Sequence, residues 1–371
     1  MTTTTTDPAV TTSPDAVEQF AGKFLGDLAA VLHAGTVVLG DKLGLYRALV
    51  ELGPATPEAL ADHTGCDPRY VREWLSAQAA SEYCHYDAGD GTFHLDEAQA
   101  MCLADESSPA FLVGGMAVAS SVHKDEATLT ARFRTGEGVG WHEHHHDLFV
   151  GTERFFRPAY ASQLVTTWVP ALDGVVAKLE AGGRVADIGC GHGASTIELA
   201  KAFPQATITG FDYHEASIVT ARERASQAGL SDRVRFEVAA ADEFGTDGVD
   251  PDGIDTVAYD LVCIFDALHD MGDPVGVARH VRRRLAPDGT WLVVEPRAAD
   301  RLEENLHLLG RIFYSASTLI CTPASRAQPV GACLGAQAGP ARLRSVMEAA
   351  GFTGFRQAVD SPTNLVLEVR V

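Results

Sequence analysis

The sequence predicts an α/β fold, with an open and mostly parallel sheet flanked by helices, preceded by a smaller and mostly helical domain. Within RVADIGCGHGAST, residues 184–196, a short apolar strand runs into a glycine-rich turn and a helix. Further apolar runs alternate with helical segments up to residue 296, which is typical of parallel βαβ units. Two capped helices and a short hairpin within residues 56–95 indicate the N-terminal domain.

Length and composition set the class of protein. The 371 residues are 46% hydrophobic and 21% charged, as in an ordinary globular protein with room for two domains. A formal net charge of −21 repels nucleic-acid phosphates and favours a small-molecule substrate. The seven cysteines form no CxxC pair, so we expect reduced thiols. With a Thr-rich N-terminal tail that lacks signal-peptide features, and no apolar run long enough for a membrane span, we expect a soluble cytoplasmic protein without a membrane partner.

The N-terminal domain has a winged-helix pattern. Thr56 and Asp67 precede two helical segments as N-caps, and YCHYDAGDGTFHL follows with a DG turn between alternating strands. The second helix offers only Arg69 and Arg72 as cations, offset by acidic neighbours. Because DNA binding requires a basic face, we predict no nucleic-acid partner.

The pattern along the chain predicts four segments. A disordered tail covers residues 1–14, the winged-helix and dimerisation domain 15–104, a helical connector and active-site roof 105–175, and the ligand-binding α/β domain 176–371. Residues 299–325 interrupt the last domain as a helical insertion, which we expect to form a substrate wall. Two strand-like runs at the end predict an antiparallel hairpin that closes the edge of the sheet.

The turn that contains Gly189, Gly191 and Gly193 has the features of a nucleotide cradle. Glycine tolerates positive φ and has no Cβ, so the backbone can turn sharply and approach a ligand at the start of the helix. The spacing leaves NAD or FAD possible, since Ala194 stands where the dinucleotide fingerprint has its third glycine or alanine. No GK[ST] follows, which disfavours a phosphate-binding P-loop.

Carboxylates follow three of the predicted strands. Asp212 comes nineteen positions after Gly193, where a second parallel strand delivers a carboxylate to ribose hydroxyls. Asp242 and Asp266 follow the next two strands. Since ligands of open parallel sheets bind beyond the carboxyl ends of the strands, these residues predict a site for a ribose-bearing cofactor.

These motifs resemble those of class I S-adenosylmethionine (SAM)-dependent methyltransferases, in particular bacterial members with an N-terminal winged helix. The resemblance covers nearly the whole chain and rests on HDLFVGTERFFRPAY, VADIGCGHGAST, GFDYHEASI, FDALHDMGDPVG, APDGTWLVVEP and GFTGFRQAVDSPTNLVLEV. It implies a Rossmann-like methyltransferase sheet, SAM as cofactor with S-adenosylhomocysteine (SAH) as product, and a homodimer built through the winged-helix domain. A sulfonium cofactor also favours carboxylates near it.

The resemblance implies a role for each cofactor residue. Asp187 and the glycines would surround the methionine end of SAM, Asp212 would bind the ribose, and Asp242 would lie near the adenine amine. Phe265 and Asp266 would line the pocket. The full set of predicted cofactor contacts is Asp187, Gly189, Cys190, Gly191, Gly193, Asp212, Tyr213, Asp242, Phe265 and Asp266.

His269 is the candidate general base for an oxygen acceptor, because an imidazole can accept a hydroxyl proton near neutral pH. The related O-methyltransferases carry a histidine in an LHDW pattern, and this chain has LHDM. Asp270, Glu295 or Glu303 would orient the ring, with Asp270 predicted as the second catalytic residue. The alternative is a helix-start histidine bonded to backbone.

Two further groups are candidates for substrate binding. The run WHEHHHDLF, residues 141–149, combines imidazoles with carboxylates that suit Zn or Fe. Adjacent histidines cannot all face one ion, so we predict substrate hydrogen bonds, with His146 as the candidate, and no metal. A carboxylate of the acceptor could be anchored, or its ring stacked, by Arg154, Arg157, Tyr160, Arg311 and Tyr314. The alternative is that these residues serve core packing and helix ends.

The resulting hypothesis is methyl transfer from SAM to a small molecule, with oxygen as the acceptor atom. Methylation of carbon, sulfur or nitrogen, or another SAM-dependent reaction, is the alternative on the same scaffold. A ligand-sensing regulator that uses the winged helix is the alternative from another class, and a dehydrogenase is the remaining rival for the glycine-rich turn.

Overall fold

A computed structural model describes residues 13–245 and 258–371 of the chain. These residues form two compact units. One extends to Glu106 and includes Phe111–Met116, and the other comprises Ser107–Ala110 and Ala117–Val371. The predicted disordered tail falls almost entirely on residues 1–12, which lie outside the described residues.

The first unit is mostly helical and contains a small hairpin. Its helices are α1 (Pro14–Lys42), α2 (Leu45–Leu52), α3 (Pro57–Thr64), α4 (Pro68–Ala80) and α5 (Glu97–Leu103), and its strands are β1 (His85–Asp87) and β2 (Thr92–His94). Both predicted N-caps form, since Thr56 accepts a hydrogen bond from the Ala59 amide and Asp67 accepts from the amides of Arg69 and Tyr70. The turn between the strands contains the predicted DG pair.

Helix α1 is long and apolar enough to cross a membrane by length and composition alone, which the sequence reading did not anticipate. Its most apolar 18-residue window has a mean hydropathy of 1.3, and 22% of that window is buried. Such a helix near an N-terminus is weak evidence for a membrane span, because core helices and signal sequences pass the same test.

The second unit is built on a seven-stranded sheet with the order β5-β4-β3-β6-β7-β9-β8. Strands β3 to β7 pair in parallel, whereas β9 is antiparallel to both β7 and β8. The predicted Rossmann-like sheet and its antiparallel C-terminal hairpin are therefore confirmed. The strands are β3 (Arg184–Ile188), β4 (Thr207–Asp212), β5 (Val234–Val238), β6 (Tyr259–Phe265), β7 (Leu285–Pro296), β8 (Gly354–Asp360) and β9 (Asn364–Arg370).

Helices precede the sheet, connect its strands and interrupt it before the hairpin. They are α6 (Val113–Val122), α7 (Glu126–Thr135), α8 (Asp147–Ala159), α9 (Val175–Glu180), α10 (Ala194–Ala202), α11 (Glu215–Gln227), α12 (Pro274–Arg284), α13 (Leu308–Ala316), α14 (Thr322–Arg326) and α15 (Pro340–Ala349). A π-helical turn, Tyr160–Trp168, continues α8, and another, Ser317–Cys321, joins α13 to α14. The predicted helical insertion is thus one nearly continuous helix from Leu308 to Arg326.

Apolar side chains cover both faces of the central strands, which explains why these strands are nearly continuous hydrophobic runs. Leu261 and Cys263 of β6 belong to one core cluster, and their neighbours Val262 and Ile264 belong to another. Burial on both faces is the usual condition of a parallel sheet between two helical layers. Polar ligand-binding side chains are consequently confined to the strand ends, where the loops begin.

Candidate active site

A cavity of about 650 Å³ lies at the carboxyl ends of β3, β4 and β6. The strand order reverses between β3 and β6, which is the point where open α/β sheets bind their ligands. Its lining combines the glycine-rich turn, the ends of three strands, the start of α8 and the segment that follows α14. The volume is sufficient for a cofactor together with a small acceptor.

The glycine-rich turn adopts the predicted conformation. Gly189, Gly191 and Gly193 have φ values of 69°, 52° and 78°, all in the left-handed region that glycine tolerates without strain. Gly189 and Gly191 line the cavity. Gly193 lies behind them as the N-cap of α10, where an added Cβ would stand 2.7 Å from the Phe236 ring. The third glycine therefore serves packing, and the first two face the cavity.

Asp187 lies beneath this turn and not on the cavity wall. Its carboxylate is fully buried and accepts hydrogen bonds of 2.6 Å from the hydroxyls of Ser195 and Thr196, at the start of α10. Burial raises the pKa of Asp187 to about 6, although the two hydroxyls partly offset the effect. The same carboxylate oxygen thus ties the end of β3 to the first turn of the helix.

The end of β4 and the residue that follows it contribute to the cavity lining. Asp212 lines it, accepting hydrogen bonds from the amide of Gly191 at 2.9 Å and from that of His214 at 2.8 Å. Burial raises the pKa of Asp212. Tyr213 and Asp242 also line the cavity. Cys190 lines it with a buried thiol whose pKa is raised well above its usual value by burial, so it remains protonated.

The end of β6 contributes an aromatic side chain and a carboxylate whose residue has a strained backbone. The Phe265 ring lies 5.3 Å from the ring of Tyr160 and 6.2 Å from that of Trp168. Asp266 has a φ of 48°, which is uncommon for a residue with a side chain, and it accepts a hydrogen bond from Asn364 at 3.1 Å. Burial raises its pKa well above the usual value. Backbone strain of this kind concentrates at functional sites.

His269 lies behind the cavity wall, and Asp270 lies on it. The Nδ1 atom of His269 contacts Glu295, while its Nε2 atom is 3.2 Å from the Asp270 carboxylate. Burial disfavours the imidazolium, but the negative charges of Glu295 and Asp270 outweigh it and raise the pKa of His269 well above its ordinary value. Of the three carboxylates considered, Glu295 and Asp270 contact the ring.

The histidine run is divided among different surroundings. His142 and Glu143 line the cavity, whereas His146 does not. His144 is buried, with its Nδ1 atom 2.7 Å from Asp125. His145 interacts with Lys124 on the exposed side. The adjacent side chains point in different directions, as expected. The histidine that lines the cavity is His142, whereas the sequence predicted His146.

The predicted cationic anchors do not line the cavity. Of the five candidates only Tyr160 does so. Arg157 pairs with the nearly buried Glu153, which is also bound by Arg224. Arg154, Arg311 and Tyr314 lie outside the lining. For Arg157, the alternative role therefore applies: its guanidinium pairs with a glutamate and does not anchor a substrate.

Sequence reasoning missed several lining residues. Trp141 and Phe149 flank the histidine run, and His192 lies inside the glycine-rich turn, where burial lowers its pKa to about 4. Gln328 contributes from the segment after α14 and donates a hydrogen bond of 2.9 Å to the carbonyl of Asp270. The aromatic residues beside the histidines could have been predicted to line the cavity, because they belong to the same run. No sequence pattern around Gln328 indicates that it reaches the cavity.

The charge of the lining is one-sided. Seven carboxylates line the cavity among the described residues, and no lysine or arginine does so. Six are Glu143, Asp212, Asp242, Asp266, Asp270 and Asp273, and the seventh is Glu153, whose charge Arg157 and Arg224 offset. Such a lining stabilises positive charge and opposes phosphate or multiple carboxylates on a ligand.

Comparison with known proteins agrees with this architecture. A family model described as a methyltransferase domain matches residues 179–351, and one described as an Rv2258c-like winged HTH domain matches residues 32–105. The chain is 34% identical over 139 residues to 27-O-demethylrifamycin SV methyltransferase of Amycolatopsis mediterranei, covering 36% of this chain and 48% of that protein. It is 32% identical over 148 residues to trans-aconitate 2-methyltransferase of Variovorax paradoxus, covering 40% and 48%. The chain thus matches about half the length of these curated relatives.

Solved structures resemble the chain over nearly its full length. A putative O-methyltransferase from Nostoc punctiforme has a TM-score of 0.68 at 18% identity, covering 97% of this chain and 100% of that one. Human N-acetylserotonin methyltransferase in complex with SAM has a TM-score of 0.67 at 17% identity, covering 98% and 99%. At these identities the likeness concerns the fold, including both domains.

Proposed function

Because the chain belongs to the class I SAM-dependent methyltransferases with an N-terminal winged-helix domain, we propose that it transfers the methyl group of SAM to an oxygen atom of a small molecule. One observation carries the proposal. The glycine-rich turn, Asp212, Asp242 and Asp270 line one cavity at the point where the strand order reverses.

SAM is the cofactor that the cavity favours. The amides of the glycine-rich turn would face its methionine end, Asp212 would accept from the ribose hydroxyls, and Asp242 would lie near the adenine amine. The carboxylate-rich lining suits a sulfonium and disfavours the pyrophosphate of NAD or FAD, which supports SAM over a dinucleotide. SAH would be the product.

The proton of the acceptor hydroxyl would pass to the group formed by Asp270, His269 and Glu295. Asp270 faces the cavity and would receive the proton first, and His269 contacts Asp270 from behind, so His269 would act as general base through Asp270 in the form of the protein whose imidazole is neutral. Methyl transfer is an in-line displacement from a good leaving group, and positioning supplies much of the rate. Methylation of sulfur, carbon or nitrogen on the same scaffold is the alternative.

The charge of the lining also indicates the class of acceptor. A polyacid such as trans-aconitate would need cationic partners, and the described lining contains no arginine or lysine. We therefore expect a neutral or positively charged acceptor that stacks on the wall formed by Phe156, Tyr160 and Phe265.

Binding and turnover test the proposal. Isothermal titration with SAH should show one site per chain, and incubation of a metabolite extract with methyl-labelled SAM should yield a labelled small molecule. The H269A variant should retain SAH binding and lose about 10²–10⁴-fold in turnover. The matched control is H123A, which removes an exposed histidine and should change neither measurement.

Different failures of this test have different meanings. Absence of SAH binding would refute the SAM-dependent reaction altogether. Full turnover by H269A would instead indicate an acceptor that needs no base, such as a thiol.

A ligand-sensing regulator is the alternative function, and the described surface of α4 does not favour it. Arg69 pairs with Glu73 on α4, and Arg72 pairs with Glu58 on α3, so both arginines of α4 are neutralised. We propose that the protein binds no nucleic acid. A gel shift with genomic fragments at physiological salt should show no specific complex.

We also propose a cytoplasmic homodimer. Helix α1 exposes a row of large apolar side chains: Val17, Phe20, Phe24, Leu25, Leu28, Val31, Leu32 and Leu39. An exposed apolar surface of this kind is a common site of association, and a second copy of the chain would present an identical helix.

A further inference from the structure

The carboxyl of Asp266, just after β6, is held by the first residue of β9. Asn364 is buried, and its Nδ2 atom donates a hydrogen bond of 3.1 Å to Oδ1 of Asp266. We propose that Asp266, positioned by Asn364, recognises the positive charge of the SAM sulfonium and thereby distinguishes SAM from SAH. This role rests on the proposed function, in which SAM is the cofactor.

The side chain of Asn364 has a defined orientation. Its Oδ1 atom accepts a hydrogen bond of 2.9 Å from the Thr363 hydroxyl, so the NH₂ end faces Asp266. Its backbone amide donates to the Ser361 hydroxyl at 3.4 Å, and the residue pairs with Pro296 of β7 in the sheet. Because an amide carries no net charge, Asn364 orients the Asp266 carboxyl without neutralising it.

The backbone of Asp266 is held in an uncommon conformation, and its carboxyl is only partly satisfied. The φ of 48° is retained while the amide donates a hydrogen bond of 2.7 Å to the Val294 carbonyl of β7. The Oδ2 atom is buried and has no hydrogen-bond partner in the described part of the chain. A buried carboxylate oxygen of this kind is costly unless a proton or a cation lies beside it. A bound cation would therefore supply the partner that Asp266 lacks.

Most of the other carboxylates in the lining already have a cationic side chain or a backbone amide as partner. These are Asp212, Asp273 and Glu143, which accept from amides, Glu153, which pairs with two arginines, and Asp270, which lies beside His269. The sixth, Asp242, follows β5, two strands away from the strand that leads into the glycine-rich turn. Asp266 is thus the lining carboxylate whose partners fit a recognition role best.

Asp266 also lies where the sulfonium would be. Strands β3 and β6 are adjacent, and a Cβ added to Gly189 would stand 3.3 Å from that of Ala267, so the glycine-rich turn contacts the turn after β6. With the adenine beyond β5 and the ribose beyond β4, the sulfonium that links the ribose to the methionine would lie beyond β3. Asp270, the proposed proton acceptor, is in the same turn as Asp266, which places the methyl group near both.

The sulfur atom carries the difference in charge between SAM and SAH. Transfer of the methyl group converts a sulfonium into a neutral thioether, whereas the ammonium and the carboxylate of the methionine end remain. An ionised carboxylate beside the sulfur would therefore stabilise bound SAM more than bound SAH.

The surroundings of Asp266 couple this recognition to a proton. Burial and the charge of Glu295 raise the pKa of Asp266, an effect that His269 opposes and Asp270 reinforces. Tyr160 of the π-helical turn also lies within electrostatic reach. A bound cation favours the ionised carboxylate, so SAM should displace the proton of Asp266 into solvent, and SAH should leave it in place.

Isothermal titration of the full-length chain with SAM and with SAH tests this role. Near neutral pH, titrations in phosphate and in Tris, whose ionisation enthalpies differ, should show proton release with SAM and none with SAH. D266N should abolish this release, weaken SAM binding at least about tenfold and change SAH binding by less than about threefold. N364A should lower the SAM-to-SAH affinity ratio by a smaller factor, and the loss should diminish as the pH rises.

D273N is the matched control. It removes a charge from the same lining, and asparagine still caps α12, so the affinity ratio should change by less than about threefold. An equal loss of SAM and SAH affinity in D266N would show a structural role and overturn the proposal. Proton release that persists in D266N, or a loss of the ratio in D273N as large as in D266N, would also overturn it.

The same titrations separate this role from the proposed function. A wild-type protein that binds neither ligand would refute the SAM-dependent reaction. An unaltered SAM-to-SAH ratio in D266N would refute only the role of Asp266. Normal recognition of SAM without a labelled product from the metabolite extract would refute only the methyl transfer.

Discussion

At the scale of single residues, the glycine-rich turn shows that similar glycines serve different purposes. Gly191 has open space where a Cβ would be, whereas Gly193 lies against the ring of Phe236. Both have positive φ, which a side chain disfavours by about 1–2 kcal/mol. Only at Gly193 is a steric clash added to this conformational cost.

We therefore expect G193A to destabilise the protein more than G229A. Gly229 has a φ of 70° and no atom within 4 Å of an added Cβ, so it isolates the conformational cost. G193A should lose at least about 1 kcal/mol more in the free energy of unfolding, measured with urea, and should weaken SAH binding. Equal losses in the two variants would show that contact with Phe236 is unimportant.

The buried carboxyl of Asp187 predicts a dependence of stability on pH. Its pKa of about 6 in the folded protein exceeds the ordinary 3.8, so the folded state holds the proton more tightly than the unfolded state. The contribution of this group to stability is present below about pH 4 and is lost as the pH rises to about 6.

D187N keeps an oxygen that can accept from Ser195 and Thr196 but cannot ionise. Relative to this variant, the wild-type free energy of unfolding should fall by up to about 3 kcal/mol between pH 4 and pH 6. Urea unfolding of both proteins across this range measures the difference. Parallel curves would mean that Asp187 does not titrate in this window.

At the scale of elements, helix starts are the best-predicted features, because a cap requires only a few consecutive residues. Thr56 and Asp67 were identified from sequence, and both accept the expected amide hydrogen bonds. The two π-helical turns were not predicted, since their spacing is imposed by packing around the cavity. They carry Tyr160, which lines the cavity, and Cys321, which lies beside His269 and Asp270.

Removing the cap of α4 should destabilise the first unit. D67A leaves two backbone amides without their acceptor and should cost about 1 kcal/mol. D62A, at an exposed position within α3, removes the same carboxylate from a helix interior and should change stability much less. Thermal unfolding of the two variants compares them, and equal melting temperatures would contradict the capping role.

At the scale of the whole molecule, the apolar face of α1 is the least explained feature for an isolated chain. Phe20, Phe24 and Leu32 each expose more than half of their surface. Burying large apolar residues of this kind contributes about 1.5–3 kcal/mol each, so association through α1 would be strongly favourable.

We expect F24E to dissociate a homodimer in sedimentation velocity, because the introduced charge would be buried in the interface. Q19E adds the same charge at an exposed polar position of the same helix and should leave the dimer intact. A wild-type protein that sediments as a monomer would refute the dimer. Partition of the wild type into lipid vesicles would instead indicate that α1 contacts membranes.

The sequence alone determined the sheet, the capped helices, the glycine-rich turn and the carboxylates Asp212, Asp242 and Asp266. Each depends on neighbouring residues or on the rule that parallel strands present their carboxyl ends to one edge. Periodicity, turn chemistry and spacing are local properties, and they survive in the folded protein because here they agree with the tertiary structure.

Only the tertiary structure decided which side chains share surroundings across long separations. It placed Glu295 and Cys321 beside His269, held Arg157 on Glu153, and brought His142 to the cavity in place of His146. These pairings depend on how the insertion and α8 pack against the sheet. Burial and neighbouring charges then shift the pKa values of the buried groups. No local pattern encodes that packing, because its free energy comes from contacts between distant segments.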